Sequence, residues 1–269
     1  MEPNKISLKS LCASLAQIIG VEKPEFAEDA YEPLTEYAKN TFGGKCADRI
    51  FMYNPDAIAQ WIYEKYPHLV QEATDVSGFK VPFCTVMPSV TPVCFGTMYT
   101  GAEPSIHGIT RYEKPVIKID SIFDAMIRAG KKCAIVSTGA DSMSKIFLER
   151  EMDYFIFETA EEVTAKASEL IIEDEYDFIA VYNAKYDALM HKFGPESIEA
   201  LSELRANSKE FATYDVLIRN HWKNHNTLLG FAMDHGCHEI DGGCGSHGLD
   251  MWEDLNIMHL YKAYGASEK

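Results

Sequence analysis

Seven side chains that can bind metal ions or act as a nucleophile stand shortly after apolar runs of the sequence. They are Asp56, Thr91, Asp187, His191, Asp234, His235 and His247. Carboxylates and imidazoles suit divalent cations such as Zn²⁺ and Mn²⁺. A threonine hydroxyl is a weak nucleophile at neutral pH unless a neighbouring cation or base activates it. Two divalent cations beside a threonine nucleophile would use all seven side chains.

The elements that must position these side chains can be predicted from the pattern of apolar residues. Six apolar, β-rich runs predict strands at residues 49–53, 81–86, 132–137, 154–157, 177–182 and 227–233. Helical spacing is found at residues 120–129, 142–150, 160–172 and 197–222. Apolar strands that alternate with helices predict an α/β fold, with a mostly parallel central sheet and helices on both faces. Ligands of such sheets bind beyond the carboxyl ends of the strands, where the seven side chains would converge.

The N-terminal part of the chain is predicted to be helical. Leucines and isoleucines within residues 7–19 have helical spacing, with Ser7 as the expected cap and Gly20 as the expected end. We find no repeat and no Gly/Ser linker, so we expect residues 1–269 to form one domain. Residues 1–45 would be a helical segment packed on it.

The charge balance excludes several classes of partner. The chain has 25 Lys and Arg against 41 Asp and Glu, a formal net charge of -16, and no basic run. Nucleic-acid polymers and anionic membranes draw much of their protein affinity from clustered Lys and Arg, so we expect neither as a partner. The sequence leaves the oligomeric state open between a monomer and a homo-oligomer.

Cysteine usage and the N-terminus favour a cytoplasmic protein. The seven cysteines are odd in number and widely spread, which suits reduced thiols better than a disulfide framework. The first apolar stretch is interrupted by Lys9, Ser10 and Gln17, so it is typical of an amphipathic helix and not of a signal peptide.

Three motifs, in order along the chain, resemble one family. They are MPSVTPVCFGTMYTGAEPSIHGI at residues 87–109, the set Tyr182, Asp187, His191, Gly194 and Pro195, and the triplet Asp234-His235-Gly236. Together they resemble the alkaline phosphatase superfamily, and within it the type I phosphodiesterase/nucleotide pyrophosphatase branch. The resemblance extends from about residue 45 to the C-terminus and implies an alkaline-phosphatase-like core. Eleven residues separate His235 from His247, so the cap that many relatives insert there would be minimal.

The resemblance implies a role for each of the seven side chains. Asp56, Thr91, Asp234 and His235 would hold one metal ion, and Asp187, His191 and His247 would hold the other. Thr91 would attack phosphorus and form a phosphothreonine intermediate, beside a helix that begins near Val93 and offers amide donors. The mixed ligands favour Zn²⁺, and Mn²⁺ would suit the same set. The substrate would be a small anionic phosphodiester or nucleotide-like phosphate ester.

The sequence departs from the phosphodiesterase branch in one place that bears on the substrate. Where that branch has a phosphate-contacting Asn, this chain has Thr110, Arg111 and Tyr112. Arg111 could bind phosphate oxygens in a bidentate manner and the Tyr112 hydroxyl could donate one hydrogen bond, so both are predicted to bind substrate. Monoester, diester and phosphonate substrates all remain open.

The same residues also allow other functions and other structural roles. The same core could carry a phosphonate hydrolase or a phosphomutase, or a catalytically inactive metal-binding interaction module. Asp187 and His191 could be an ordinary helical ion pair. Cys237, His238, Cys244 and His247 could bind structural zinc, although their spacing matches no usual zinc motif. His238 is the rival of His247 as a metal ligand, and we expect it on the surface or behind the ligands.

Overall fold

A single large sheet organises the computed structural model, which describes residues 2–267. Its eight strands are β1 (Ile6–Ser7), β2 (Arg49–Pro55), β3 (Phe79–Cys84), β4 (Cys133–Thr138), β5 (Asp153–Phe157), β6 (Phe178–Asn183), β7 (Thr227–Phe231) and β10 (Asn256–Tyr264). A separate two-stranded hairpin consists of β8 (His238–Ile240) and β9 (Cys244–Ser246).

The sheet is mostly parallel, as predicted. Its strand order is β1-β3-β10-β7-β2-β6-β4-β5. All neighbouring pairs are parallel except those of β10, which runs antiparallel between β3 and β7. The expected α/β fold is therefore confirmed, whereas β1, β10 and the small hairpin were not predicted.

Helices surround this sheet. The longer helices are α1 (Ser10–Ile19), α2 (Glu32–Thr41), α5 (Thr91–Thr100), α9 (Ala160–Glu173), α10 (Lys185–Phe193) and α11 (Ile198–His221). The shorter helices are α3 (Gln60–Lys65), α4 (Gln71–Val76), α6 (Pro104–His107), α7 (Ile122–Arg128), α8 (Ser142–Ile146) and α12 (Trp252–Leu255), and Pro67–Leu69 forms one 3₁₀ turn. One group of helices packs around α5 and another around α11. Within residues 2–267, no helix combines the length and apolar character that a membrane span requires.

Several predicted boundaries differ from those observed. Ser7 does not cap the first helix, because it lies in β1 and its hydroxyl accepts a hydrogen bond from the Lys9 amide, so that α1 begins at Ser10. Gly20 ends that helix as expected, in a left-handed conformation with φ of 76°. The strand predicted at residues 227–233 ends at Phe231, and the helix predicted at 142–150 ends at Ile146.

The register of the central strands brings the chemical side chains together. Pro55 lies opposite Asn183, and Tyr53 lies opposite Phe231, so β2, β6 and β7 end at one edge of the sheet. The segment after β3 reaches the same edge because the Thr85 hydroxyl donates to the backbone carbonyl of Asp234, at 2.7 Å. The parallel strands β2, β3, β6 and β7 thus deliver four loops to one edge of the sheet.

Candidate active site

Three buried residues form the first of two ligand clusters at this edge. The inner cluster consists of Asp56 after β2, and Asp234 and His235 after β7. His235 Nε2 lies 3.4 Å from Asp56 Oδ1 and 3.2 Å from Asp234 Oδ2. All three side chains are at most 1% exposed, so neighbouring protein groups or a bound ion must satisfy their polar atoms.

The outer cluster lies nearer to solvent and consists of Asp187, His191 and His247. Asp187 and His191 stand one helical turn apart on α10, and His247 follows β9. Asp187 Oδ1 lies 3.3 Å from His191 Nε2 and 3.4 Å from His247 Nε2. The structure thus brings all six predicted carboxylate and imidazole ligands into two groups of three, divided as the family resemblance implied.

Hydrogen bonds orient every imidazole in the same manner. Nδ1 of His191, His235 and His247 lies 3.0, 2.9 and 2.9 Å from the backbone carbonyls of Gly245, Gly236 and Ser89 respectively. A carbonyl only accepts, so each Nδ1 carries a proton, and in the neutral ring Nε2 then presents a lone pair. This is the arrangement in which histidine binds a metal through Nε2.

Some carboxylate oxygens and imidazole nitrogens of the clusters lack hydrogen-bond donors, whose place divalent cations could take. Asp56 Oδ1, Asp187 Oδ1 and Asp234 Oδ2 are buried without a hydrogen-bond partner. Nε2 of His191 and Nε2 of His247 are 3.1 Å apart, although both carry lone pairs in the tautomer fixed by their Nδ1 bonds. Positive charge between them would relieve this repulsion and satisfy the unpaired carboxylate oxygens. The residues present therefore fit a pair of metal ions.

Burial and mutual repulsion shift the pKa values of the cluster residues. Burial raises the pKa of Asp56 well above its ordinary value, and the nearby Asp234 and Asp187 charges raise it further. Burial likewise raises the pKa of Asp234. Burial lowers the pKa of His235 well below its usual range, and so keeps the ring neutral. Burial lowers the pKa of His247, but the nearby Asp187 carboxylate and the Ser89 carbonyl outweigh burial, so its pKa is raised.

Thr91 occupies the first position of α5, next to the inner cluster. Its Oγ1 lies 3.2 Å from His235 Nε2, and all ten residues of α5 are buried, so packing fixes the hydroxyl in place. The helix offers fewer amide donors than expected. Pro92 has no N–H, and the amides of Val93 and Cys94 already donate to the Val90 carbonyl. Within residues 2–267, no hydrogen-bond acceptor is found for the Thr91 amide, so it can donate to a phosphoryl oxygen.

The two predicted substrate-binding residues, Arg111 and Tyr112, differ in their surroundings. Tyr112 is 61% exposed, yet it lies near enough to the clusters for Asp187, Asp56 and Asp234 to add to the rise in its pKa that burial causes. Arg111 is paired with Glu113 through Nε at 3.0 Å and through an Nη at 2.9 Å. The structure therefore brings Tyr112 toward the site and holds the Arg111 guanidinium in an exposed ion pair.

Two further residues lie behind the clusters: Tyr182, for which the sequence predicted no such role, and His238, which was expected there or on the surface. The Tyr182 hydroxyl donates to Asp56 Oδ2, which fixes the orientation of that carboxylate. His238 is buried and belongs to neither cluster, and its Nδ1 lies 2.7 Å from Asp254 Oδ1. His238 thus lies behind the ligands and not on the surface. Among residues 2–267, neither group of candidate metal ligands includes Cys237 or Cys244.

The fold is shared with solved structures of low sequence identity. Human ectonucleotide pyrophosphatase/phosphodiesterase 5 matches 72% of this chain at 16% identity, with a TM-score of 0.58. An inactive threonine-to-alanine variant of the murine protein, in complex with AMP, matches 72% at 19% identity and a TM-score of 0.55. Phosphonoacetate hydrolase from Sinorhizobium meliloti 1021, in complex with phosphonoformate, matches 74% at 18% identity and a TM-score of 0.53.

These likenesses confirm the alkaline-phosphatase-like fold that the motifs implied. The chain spans 58 to 59% of the length of those three structures. No protein-family model and no curated protein sequence matches the chain. The activity must therefore be argued from the site itself.

Proposed function

We propose that this chain is a metal-dependent phosphohydrolase that cleaves a phosphodiester or nucleotide-like phosphate ester through a phosphothreonine intermediate at Thr91. The observation that carries the proposal is the position of the Thr91 hydroxyl, 3.2 Å from His235 Nε2 and beside a cluster with unpaired carboxylate oxygens. A protein that shares this fold is inactive when one threonine is changed to alanine, which supports a threonine nucleophile on this fold.

Each residue has a defined task in the reaction. Divalent cations held by the inner and outer clusters would supply positive charge that acidifies the Thr91 hydroxyl and offsets the charge of the phosphoryl oxygens. Oγ1 of Thr91 forms a bond to phosphorus while the bond from phosphorus to the leaving oxygen breaks, and the hydroxyl proton ends on the leaving alcohol. Water then cleaves the bond between Oγ1 and phosphorus, which restores the hydroxyl and releases the second product.

The charge of the site favours a singly charged phosphoryl group. Three carboxylates in the two clusters would offset all but one of the four positive charges of two divalent cations. A phosphodiester carries one negative charge, whereas a monoester approaches two at neutral pH. We therefore propose a preference for diesters, with the Tyr112 hydroxyl donating to a phosphoryl oxygen. We propose Zn²⁺ as the metal, because imidazole and carboxylate ligands are mixed, and Mn²⁺ as the alternative.

A phosphonate substrate is the second candidate. The match to phosphonoacetate hydrolase in complex with phosphonoformate favours it, because that protein shares the fold. The same attack by Thr91 would then form the bond from Oγ1 to phosphorus and break the bond from phosphorus to carbon, with the hydroxyl proton ending on that carbon. Rates on a nitrophenyl phosphodiester, a nitrophenyl phosphomonoester and phosphonoacetate, measured with one metal-loaded preparation, would rank the candidates.

Substitution of the nucleophile tests the proposal. We expect Thr91→Ala to lower turnover of the nitrophenyl diester by at least about 1,000-fold, since no other hydroxyl stands in its place. Metal content, measured by mass spectrometry, should stay at two ions per chain. Thr213→Ala, an exposed threonine on α11, is the matched control and should keep wild-type activity. Full activity of Thr91→Ala would overturn the assignment.

A further inference from the structure

The two clusters are linked by loops that must keep a fixed spacing. His235 of the inner cluster follows β7, and His247 of the outer cluster follows β9. Their rings stack with centroids 4.0 Å apart. Any shift of one loop against the other therefore changes the distance between the clusters.

One buried residue makes hydrogen bonds to both loops. Asp254, on α12, is fully buried. Its Oδ2 accepts the Leu249 amide at 2.8 Å, two residues after His247. Its Oδ1 lies 2.7 Å from His238 Nδ1, and its backbone carbonyl accepts the Gly236 amide at 2.8 Å, one residue after His235.

The chemistry of Asp254 shows that it acts on the loops and not on an ion. Both of its carboxylate oxygens are occupied, whereas one oxygen of each cluster carboxylate is unpaired. A fully buried carboxylate is costly unless hydrogen bonds satisfy it. Here the donors are His238 Nδ1 and the Leu249 amide, so Asp254 is stable only when the two loops are held together.

We infer that the Asp254–His238 pair is a positioning unit that sets the spacing of the two metal clusters, and in particular the place of His247 in the outer cluster. This inference rests on the proposed two-metal function. Groups behind metal ligands typically change metal affinity by about 10- to 100-fold when they are removed. The metal affinity of the outer cluster should fall more than that of the inner cluster. The outer ligands come from α10 and the segment after β9, whereas Asp234 and His235 directly follow the central strand β7.

Metal binding is the readout that separates positioning from general stability. Zn²⁺ alone would be titrated calorimetrically into metal-free wild-type protein and into His238→Ala, His238→Asn, Asp254→Ala and Glu253→Ala. We expect His238→Ala to lower the affinity for the second Zn²⁺ equivalent at least about 10-fold and to leave the affinity for the first unchanged. His238→Asn should restore much of the affinity, because its amide nitrogen can replace Nδ1 as the donor. Glu253→Ala, next to Asp254 on α12, is the control and should bind like the wild type.

The metal titration tests the positioning role of Asp254 and His238 even if the protein shows no hydrolysis. If Asp254→Ala fails to fold by circular dichroism, the His238 variants still provide the answer. Wild-type binding by His238→Ala, or equal weakening of both equivalents, would overturn the positioning role. On the diester, His238→Ala should lower kcat with KM little changed. If the wild-type protein binds two ions and does not hydrolyse the substrates, the proposed function fails while the metal titration still tests the positioning role.

Discussion

At the scale of single residues, the site depends on which atom of each ligand is left free. Three backbone carbonyls accept hydrogen bonds from Nδ1 of His191, His235 and His247. These bonds orient the rings so that each Nε2 faces a cluster. The residues of the two clusters could be named in advance because their types and the motifs that contain them are visible in the sequence. The carbonyl acceptors could not, because every residue has a carbonyl and only the fold decides which one meets an imidazole.

Proton release on metal binding is a consequence of the buried carboxylates. Burial raises the pKa of Asp56 and Asp234, so the metal-free site holds protons that an ordinary carboxylate would have lost. A cation needs the ionised forms, so binding must expel these protons and affinity must rise with pH. We expect calorimetric Zn²⁺ titrations in buffers of different ionisation enthalpy to show proton release that shrinks as the pH rises.

A carboxylate outside the clusters provides the control for this prediction. Burial also raises the pKa of Asp141, which caps α8 and is not a cluster member. Asp141→Asn should leave the number of released protons unchanged, whereas Asp234→Asn should reduce it. Metal binding without proton release at any pH would show that the clusters are ionised before the cation arrives, contrary to this account.

Tyr112 and Arg111 differ in how freely they can reach a phosphate. Tyr112 lies near the carboxylates of both clusters, while Arg111 would have to leave Glu113 first. We expect Tyr112→Phe to lower kcat/KM for the diester about 10-fold, the value of one hydrogen bond to a charged group. Arg111→Ala should change it less. A larger loss in Arg111→Ala would instead identify the guanidinium as the main phosphate contact.

At the scale of elements, the sequence predicted the parallel strands well and the antiparallel ones poorly. Strands β2, β6 and β7 are continuous apolar runs, a local signal. β10 carries His259 and Lys262, and its place between β3 and β7 comes from pairing with strands far away in the sequence. The hairpin of β8 and β9 is only three residues on each side, too short to show a period.

The hairpin positions the outer cluster through a close approach to α10. A Cβ atom at Gly245 would lie 2.8 Å from the Met190 carbonyl oxygen and 2.4 Å from its sulfur, so only glycine allows this contact. Gly245→Ala should push β9 away from α10 and remove the Gly245 carbonyl from His191 Nδ1. We expect about 10-fold weaker binding of the second Zn²⁺ equivalent, with the first unaffected.

A glycine with free space around it is the matched comparison. A Cβ at Gly139 would meet its nearest neighbours at 3.8 Å, an ordinary contact distance. Gly139→Ala should therefore leave both Zn²⁺ affinities unchanged. If Gly245→Ala also bound two ions normally, the hairpin would have no part in setting the outer cluster.

At the scale of the whole molecule, the charge limits the kind of substrate. The chain carries a formal net charge of -16, and two divalent cations would leave it strongly acidic. An anionic polymer lying along the surface would be repelled, whereas a compact anion reaching the clusters would meet local positive charge. A small phosphate ester therefore fits the molecule better than a nucleic acid.

The stereochemical course at phosphorus tests the central claim most directly. Each in-line displacement inverts the configuration, so attack by Thr91 followed by attack by water gives two inversions and net retention. Hydrolysis of a chiral phosphorothioate diester in isotopically labelled water, with the product analysed by phosphorus NMR, reads out this result. We predict retention of configuration. Net inversion would mean that water attacks the substrate directly and would contradict the role of Thr91 as the nucleophile.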